Sequence, residues 1–145
     1  MKTRATAIFS ALTLIAILAT AASTLAQSNY RMKIAVPFDF AIGDKSYSSG
    51  RYTVGLSSNL TLIRVQSEDE NKTAFITSTV PLKTQGEHQA QLEFTRYGDR
   101  YFLHKVWLGS EGHQLPKSKL ERELVENWSE DGEQLQAETV IITPN

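Results

Sequence analysis

Glu93 and His104 are the one pair in this sequence whose types and spacing could carry acid–base chemistry. They flank Gly98-Asp99, a turn signal that folds residues 91–97 back onto residues 100–108, with glycine at the first turn position as a type II′ loop prefers. A loop of two or four residues sets Arg96 opposite Tyr101, Phe94 opposite Leu103 and Leu92 opposite Lys105. Glu93 and His104 are then cross-strand neighbours, and a carboxylate beside an imidazole is the minimal acid–base pair. A three-residue loop shifts the register by one and dissolves every pair. The competing reading is a solvent-facing ion pair on a sheet. It has the better support, because no nucleophile or oxyanion donor can be placed beside the pair.

Other chemistries find less. His88, His104 and His113 have no metal-ligand spacing, His88 and His113 fall in loops beside Gly86 and Gly112, and no cysteine is present to complete a zinc site. Neither a G-x-S-x-G element nor a Ser-x-x-Lys with its companions occurs, so a serine nucleophile has no setting. No phosphate-binding glycine loop supports nucleotide binding. No cofactor is implied. Tyr97, Tyr101, Trp107 and Trp128 could line a groove that stacks on sugars or accepts an apolar partner; alternatively Trp107 and Trp128 pack together as core, helix against sheet.

The elements that must position these residues are mostly strands. Along residues 32–42 the apolar side chains Met32, Ile34, Val36, Phe38, Phe40 and Ile42 fall on every second position, which predicts one strand with a buried face. Pro37 cannot donate to a ladder, so this strand should run at an edge or carry a bulge. Further strands are expected over residues 51–56, 60–65, 74–80, 91–97, 100–108 and 139–143. Residues 60–65 are apolar on both parities and should be the most buried, and Pro81 should stop the strand before it.

One helix is expected over about 118–128, with Leu120, Leu124, Val125 and Trp128 on a single stripe. Ser118 and Glu121 form a capping box at its start, and Lys119 with Glu123 and Arg122 with Glu126 are four apart. About seven antiparallel strands with turn signals between them, then a helix before the last strand, predict a single all-β domain. It would be a sandwich or a small barrel, with the helix closing one end or crossing a face.

Lys2 and Arg4, the apolar stretch over residues 5–22 and the small residues after it have the three parts of a cleavable signal peptide, residues 1–26, with the cut after Ala26. An uncleaved anchor is the rival, but Ser10, Thr13 and Thr20 interrupt the roughly 20 apolar residues a spanning helix needs. Removal leaves residues 27–145, one domain's worth, with thirteen basic against sixteen acidic residues. That balance lacks the basic face of a nucleic-acid binder. The absence of cysteine excludes a lipid-anchored lipoprotein and a disulfide framework, and favours a bacterial periplasm or exterior over a eukaryotic secretory route. The sequons at Asn59, Asn71 and Asn127 are then polar turn residues; a eukaryotic secretory route would make them glycosylation acceptors.

Three stretches, taken together, resemble a set of small exported proteins of acidobacteria and related soil bacteria for which no catalytic residue is established. They are Pro37-Phe38-Asp39-Phe40 with Gly43 and Gly50-Arg51-Tyr52-Thr53-Val54; residues 96–103 (RYGDRYFL) with Trp107; and Leu115-Pro116-Lys117-Ser118 before Glu121-Arg122-Glu123. The resemblance covers most of the exported chain. Relatives often carry Pro-Ala where this chain has Ser48-Ser49, so the turn there can differ. It implies bacterial origin and export. Three functions follow as expectations. The first is a non-catalytic exported module that binds a protein or small molecule through an aromatic sheet face. The second is a small barrel around an apolar ligand, and the third is a hydrolase or isomerase using Glu93 and His104.

Overall fold

The computed structural model describes residues 31–57, 62–69, 71–77, 79–83, 88–130 and 136–144. The expected signal peptide, Ser58, Asn59 and the start of the strand expected at residue 60 lie outside them. Eleven strands and one helix are present among the described residues, and the chain is all-β with a single helix, as expected.

The strands form two sheets. The first runs β1 (Arg31–Val36), β4 (Gly50–Leu56), β5 (Ile63–Ser67) and β6 (Thr73–Ile76), all antiparallel. The second runs β11 (Ala137–Ile142), β8 (Gln91–Tyr97), β9 (Arg100–Leu108), β10 (Glu111–Gln114) and β7 (Val80–Lys83). β2 (Phe40–Ile42) adds to β9 in parallel at Ala41 and Phe102, and β3 (Lys45–Tyr47) pairs with β2. The extra strands over the seven expected are short pieces, and β10 contains Gly112 and His113, which the sequence reading placed in a loop.

The alternating run over residues 32–42 is two strands. It breaks at Pro37, where the chain leaves the first sheet and enters the second. Alternation survives because both sheets face one core, so Met32, Ile34 and Val36 point into it from one side and Phe40 and Ile42 from the other. β1 is an edge strand, as the proline required. The chain returns between β3 and β4, where Asp39 Oδ1 accepts from the Ser49 N–H at 2.7 Å and the Tyr52 hydroxyl donates to the Ser48 carbonyl. Pro81 does not stop a strand. It lies within β7, opposite His113, which the sheet tolerates because β7 is an edge. β5 alternates with Arg64 and Gln66 outward; the more continuously buried strand is β9.

Tyr52, Phe94, Ile63, Leu92 and Val106 are among the side chains wholly buried between the sheets. Phe40 packs edge-on to Tyr52 and Phe94, with ring centroids 5.1 and 5.3 Å apart, an arrangement that favours the opposed ring quadrupoles. The molecule is therefore a sandwich with an aromatic centre. A second, smaller cluster of Ala41, Tyr97 and Phe102 lies on the outer face of the second sheet. The helix α1 (Lys119–Glu130) crosses that face and covers the cluster with Leu120, Leu124 and Val125.

The hairpin of β8 and β9 turns on two residues, Gly98 and Asp99, with Gly98 at φ 61°, where a side chain would be strained. Arg96 faces Tyr101 and Phe94 faces Leu103, as read from the sequence. Beyond them a β-bulge inserts His104, so that Glu93 faces Lys105 and Leu92 faces Val106. The expected pairing of Leu92 with Lys105 is thus corrected. Val106 moves to the core, and Trp107 moves to the outer face.

Candidate functional site

The bulge decides what the acid–base candidates can do. Glu93 stands on the outer face of the second sheet with its side chain only 12% exposed, and its oxygens are taken by neighbours on the same face. Oε2 pairs with Lys105 Nζ at 2.7 Å. Oε1 accepts from Trp107 Nε1 at 2.6 Å and from Gln91 Nε2 at 3.3 Å. Burial pushes the Glu93 carboxyl up, but the hydrogen bonds from Lys105 and Trp107, the Lys105 charge and the Gln91 amide outweigh it and leave the pKa below its ordinary value. Such a carboxylate is held ionised and satisfied.

His104, the inserted residue, donates no pairing to Glu93; its carbonyl accepts from the Leu115 N–H at 2.7 Å. Burial lowers the imidazole pKa, and the charges of Lys105 and Lys117 add to that, against the opposing charges of Glu121 and Glu93. The neutral ring is favoured. The other histidines stand apart: His88 stacks on Trp107 with centroids 4.6 Å apart, and His113 has Nδ1 3.3 Å from Thr79 Oγ1 and a buried Nε2 with no partner among the described residues.

A second polar cluster fixes the start of α1. Ser118 Oγ accepts from the Glu121 N–H at 3.1 Å, the cap read from the sequence, and Asp44 Oδ1 accepts from the Leu120 N–H at 3.0 Å. The Glu121 carboxylate does something the capping box did not foresee. It is 4% exposed and accepts from the Tyr97 hydroxyl at 3.0 Å, while Lys117 Nζ donates to the same hydroxyl at 3.2 Å. Burial raises the Tyr97 pKa, so the phenol stays a donor. This cluster ties the helix to the sheet. Lys119 and Glu123 pair at 3.4 Å as their spacing required.

The four aromatic candidates are not brought together. Tyr97 is buried beneath the helix. Tyr101 stacks on Phe38 at 3.8 Å with the Arg96 guanidinium 5.7 Å from its ring centre, and lines a surface cleft of about 430 Å³ with Phe102, Asp39 and Arg100. Trp107 is buried between His88 and Gly112, and Trp128 stands 40% exposed near the end of the helix, so the expected packing of the two tryptophans does not occur. Asn71 precedes β6 and Asn127 lies in the last turns of α1.

Among the described residues the most exposed aromatic is one the sequence reading passed over. Phe75 on β6 is 61% exposed, on the outer face of the first sheet. It lines two clefts: one of about 260 Å³ shared with Ile76, Leu115 and Pro116, and one of about 180 Å³ floored by Gly55. Its signal was present in the sequence, since Ala74 and Ile76 share the inward parity and Phe75 has the other.

Comparison with protein-family models, curated proteins and solved structures gives no match. The site must be judged from its own geometry. Among the described residues no group of three or more metal-ligating side chains occurs, and no helix is long and apolar enough to cross a membrane. Phe75 sets apolar surface beside the charged residues of the first sheet's outer face, and Val80, Ile141 and Trp128 are exposed elsewhere.

Proposed function

We propose that this chain is a non-catalytic, exported binding module of the bacterial envelope, and that it binds through the edge of the first sheet around Phe75. The observation that carries this reading is the position of Phe75: a large apolar ring, mostly exposed, between two clefts on an edge strand. Exposed aromatic side chains at clefts are the residues on which binding energy concentrates. The acid–base alternative loses support because Lys105, Trp107 and Gln91 occupy the Glu93 oxygens. The barrel alternative loses support because Tyr52, Phe94 and Phe40 occupy the space between the sheets. The leader-like residues 1–26 support export.

Native mass spectrometry of the protein recovered from the envelope or medium of the cells that make it tests the reading. A discrete mass above that of the chain, lost on denaturation and absent from the Phe75→Ser variant, is the expected result. Bare chain for both proteins contradicts it.

A further inference from the structure

The outer face of the first sheet carries four basic side chains that differ in their surroundings. Lys33 pairs with Glu68 at 2.9 Å, and Arg51 pairs with Glu68 at 3.6 Å and with Asp69 at 3.3 Å. These charges are answered at one end of the face. At the other end, Arg31 and Arg64 have no carboxylate partner among the described residues.

Register places these two arginines in one cross-strand row. Arg31 faces Gly55, Gly55 faces Arg64, and Arg64 faces Phe75. Neighbouring strands lie roughly 4.8 Å apart, so the two arginine backbones stand about 10 Å apart across a glycine that presents no side chain. The gap is the cleft of about 180 Å³, with Arg31, Arg64 and Phe75 on its walls and Gly55 at its floor. Gln66, two residues along the same face and also on the cleft lining, accepts from Arg64 Nη2 at 2.7 Å and fixes that guanidinium at the cleft. The remaining guanidinium N–H groups are left for a ligand, and their planar fork matches carboxylate and phosphate oxygens.

We propose that this cleft binds a small organic anion, with its carboxylate or phosphate between Arg31 and Arg64 and its apolar part against Phe75. The inference rests on the binding-module reading and names the ligand class. Charge complementarity carries it: two guanidinium groups with no carboxylate partner among the described residues line one cleft beside an exposed ring, while Lys33 and Arg51 on the same face are paired. The cleft is too small for a folded partner, and its apolar lining, Phe75 and Leu56, suits one ring or short chain.

The test uses amide NMR shifts of the purified exported chain titrated with phenyl phosphate, benzoate, inorganic phosphate and benzyl alcohol. Saturable shifts at Gly55, Arg64 and Phe75 are expected with phenyl phosphate or benzoate, and whichever binds tighter identifies phosphate or carboxylate as the preferred head. Inorganic phosphate should bind more weakly and benzyl alcohol not at all. Arg31→Gln and Arg64→Gln should each weaken binding about tenfold or more, the worth of a charge-assisted hydrogen bond. Phe75→Leu should weaken phenyl phosphate and leave inorganic phosphate unchanged. Absence of saturable shifts, shifts indifferent to both arginine substitutions, or binding only to anionic vesicles overturns the proposal. If the extra mass in the native spectrum persists while these probes fail, the anion assignment falls and the binding-module reading stands.

Discussion

The indole of Trp107 fills the space that a side chain on Gly112 would need. The two residues are cross-strand partners on β9 and β10, and a β-carbon built on Gly112 would overlap Cζ3, Cε3 and Cη2 of the ring. A glycine in a strand interior ordinarily weakens it, and here the neighbour's ring covers the bare backbone. The same ring is stacked on His88 and anchored through Nε1 to Glu93, so this contact organises the outer face of the second sheet.

Gly112→Ala should therefore be destabilising. It displaces the indole and strains the Glu93 hydrogen bond, at a cost of about 1–3 kcal/mol typical of overpacking. The urea midpoint should fall and tryptophan emission should shift to longer wavelength. Measured in a Trp128→Phe background, that shift reports Trp107 alone.

Acid should lower the protein's stability in two pH windows. His104 has a lowered folded pKa, so its contribution is complete above the ordinary imidazole value of about 6.5 and is lost as pH falls toward the folded value. Glu93 has a lowered folded pKa as well, so its contribution is present above the ordinary carboxylate value of about 4.3 and is lost at still lower pH. Melting temperature against pH should show that His104→Gln flattens the slope in the upper window and Glu93→Gln in the lower. If both variants keep the slopes of the parent, these two groups do not set its acid stability.

Tyr97→Phe should loosen the helix. It removes the donor to the buried Glu121 carboxylate and the acceptor for Lys117, costing about 1–3 kcal/mol for a charged group left short of a partner. Amide exchange of the Leu124 and Val125 backbone should accelerate while that of Leu92 and Val106 changes little. Equal acceleration in both would mean that α1 and the sheets open together.

Export can be checked by intact mass. Cleavage after Ala26 predicts a mature chain of residues 27–145 beginning at Gln27. Retention of residues 1–26 in the recovered protein contradicts the signal-peptide reading.

Local patterns were legible in the sequence, and the joins between sheets were not. The alternation from Met32 to Ile42 correctly assigned inward residues, but it is blind to which sheet a strand belongs to, because both sheets bury the same parity in one core. Pro37 marked the irregularity without saying that the chain changes sheet there. The hairpin at Gly98-Asp99 and the Ser118 cap depend on a few adjacent residues and were read directly.

The bulge at His104 was invisible because inserting one residue leaves composition and near-alternation intact, yet it exchanges the faces of everything after it. That is why Glu93 met Lys105 and Trp107 instead of His104. Glu121 read as the capping-box partner of Ser118; its burial against Tyr97, 24 residues away, is something no local pattern reports. The outward parity of Phe75 was readable, but its place beside the Arg31–Arg64 row arises from register across four strands.

Hydrogen exchange on the protein as recovered from its cells, before and after whatever it carries is stripped by mild denaturation and refolding, tests the central claim most directly. Binding through the first sheet predicts that stripping raises exchange in β5 and β6 around Arg64 and Phe75 and leaves β8 and β9 unchanged. A change confined to Glu93, His104 and Trp107, or none at all, would contradict it.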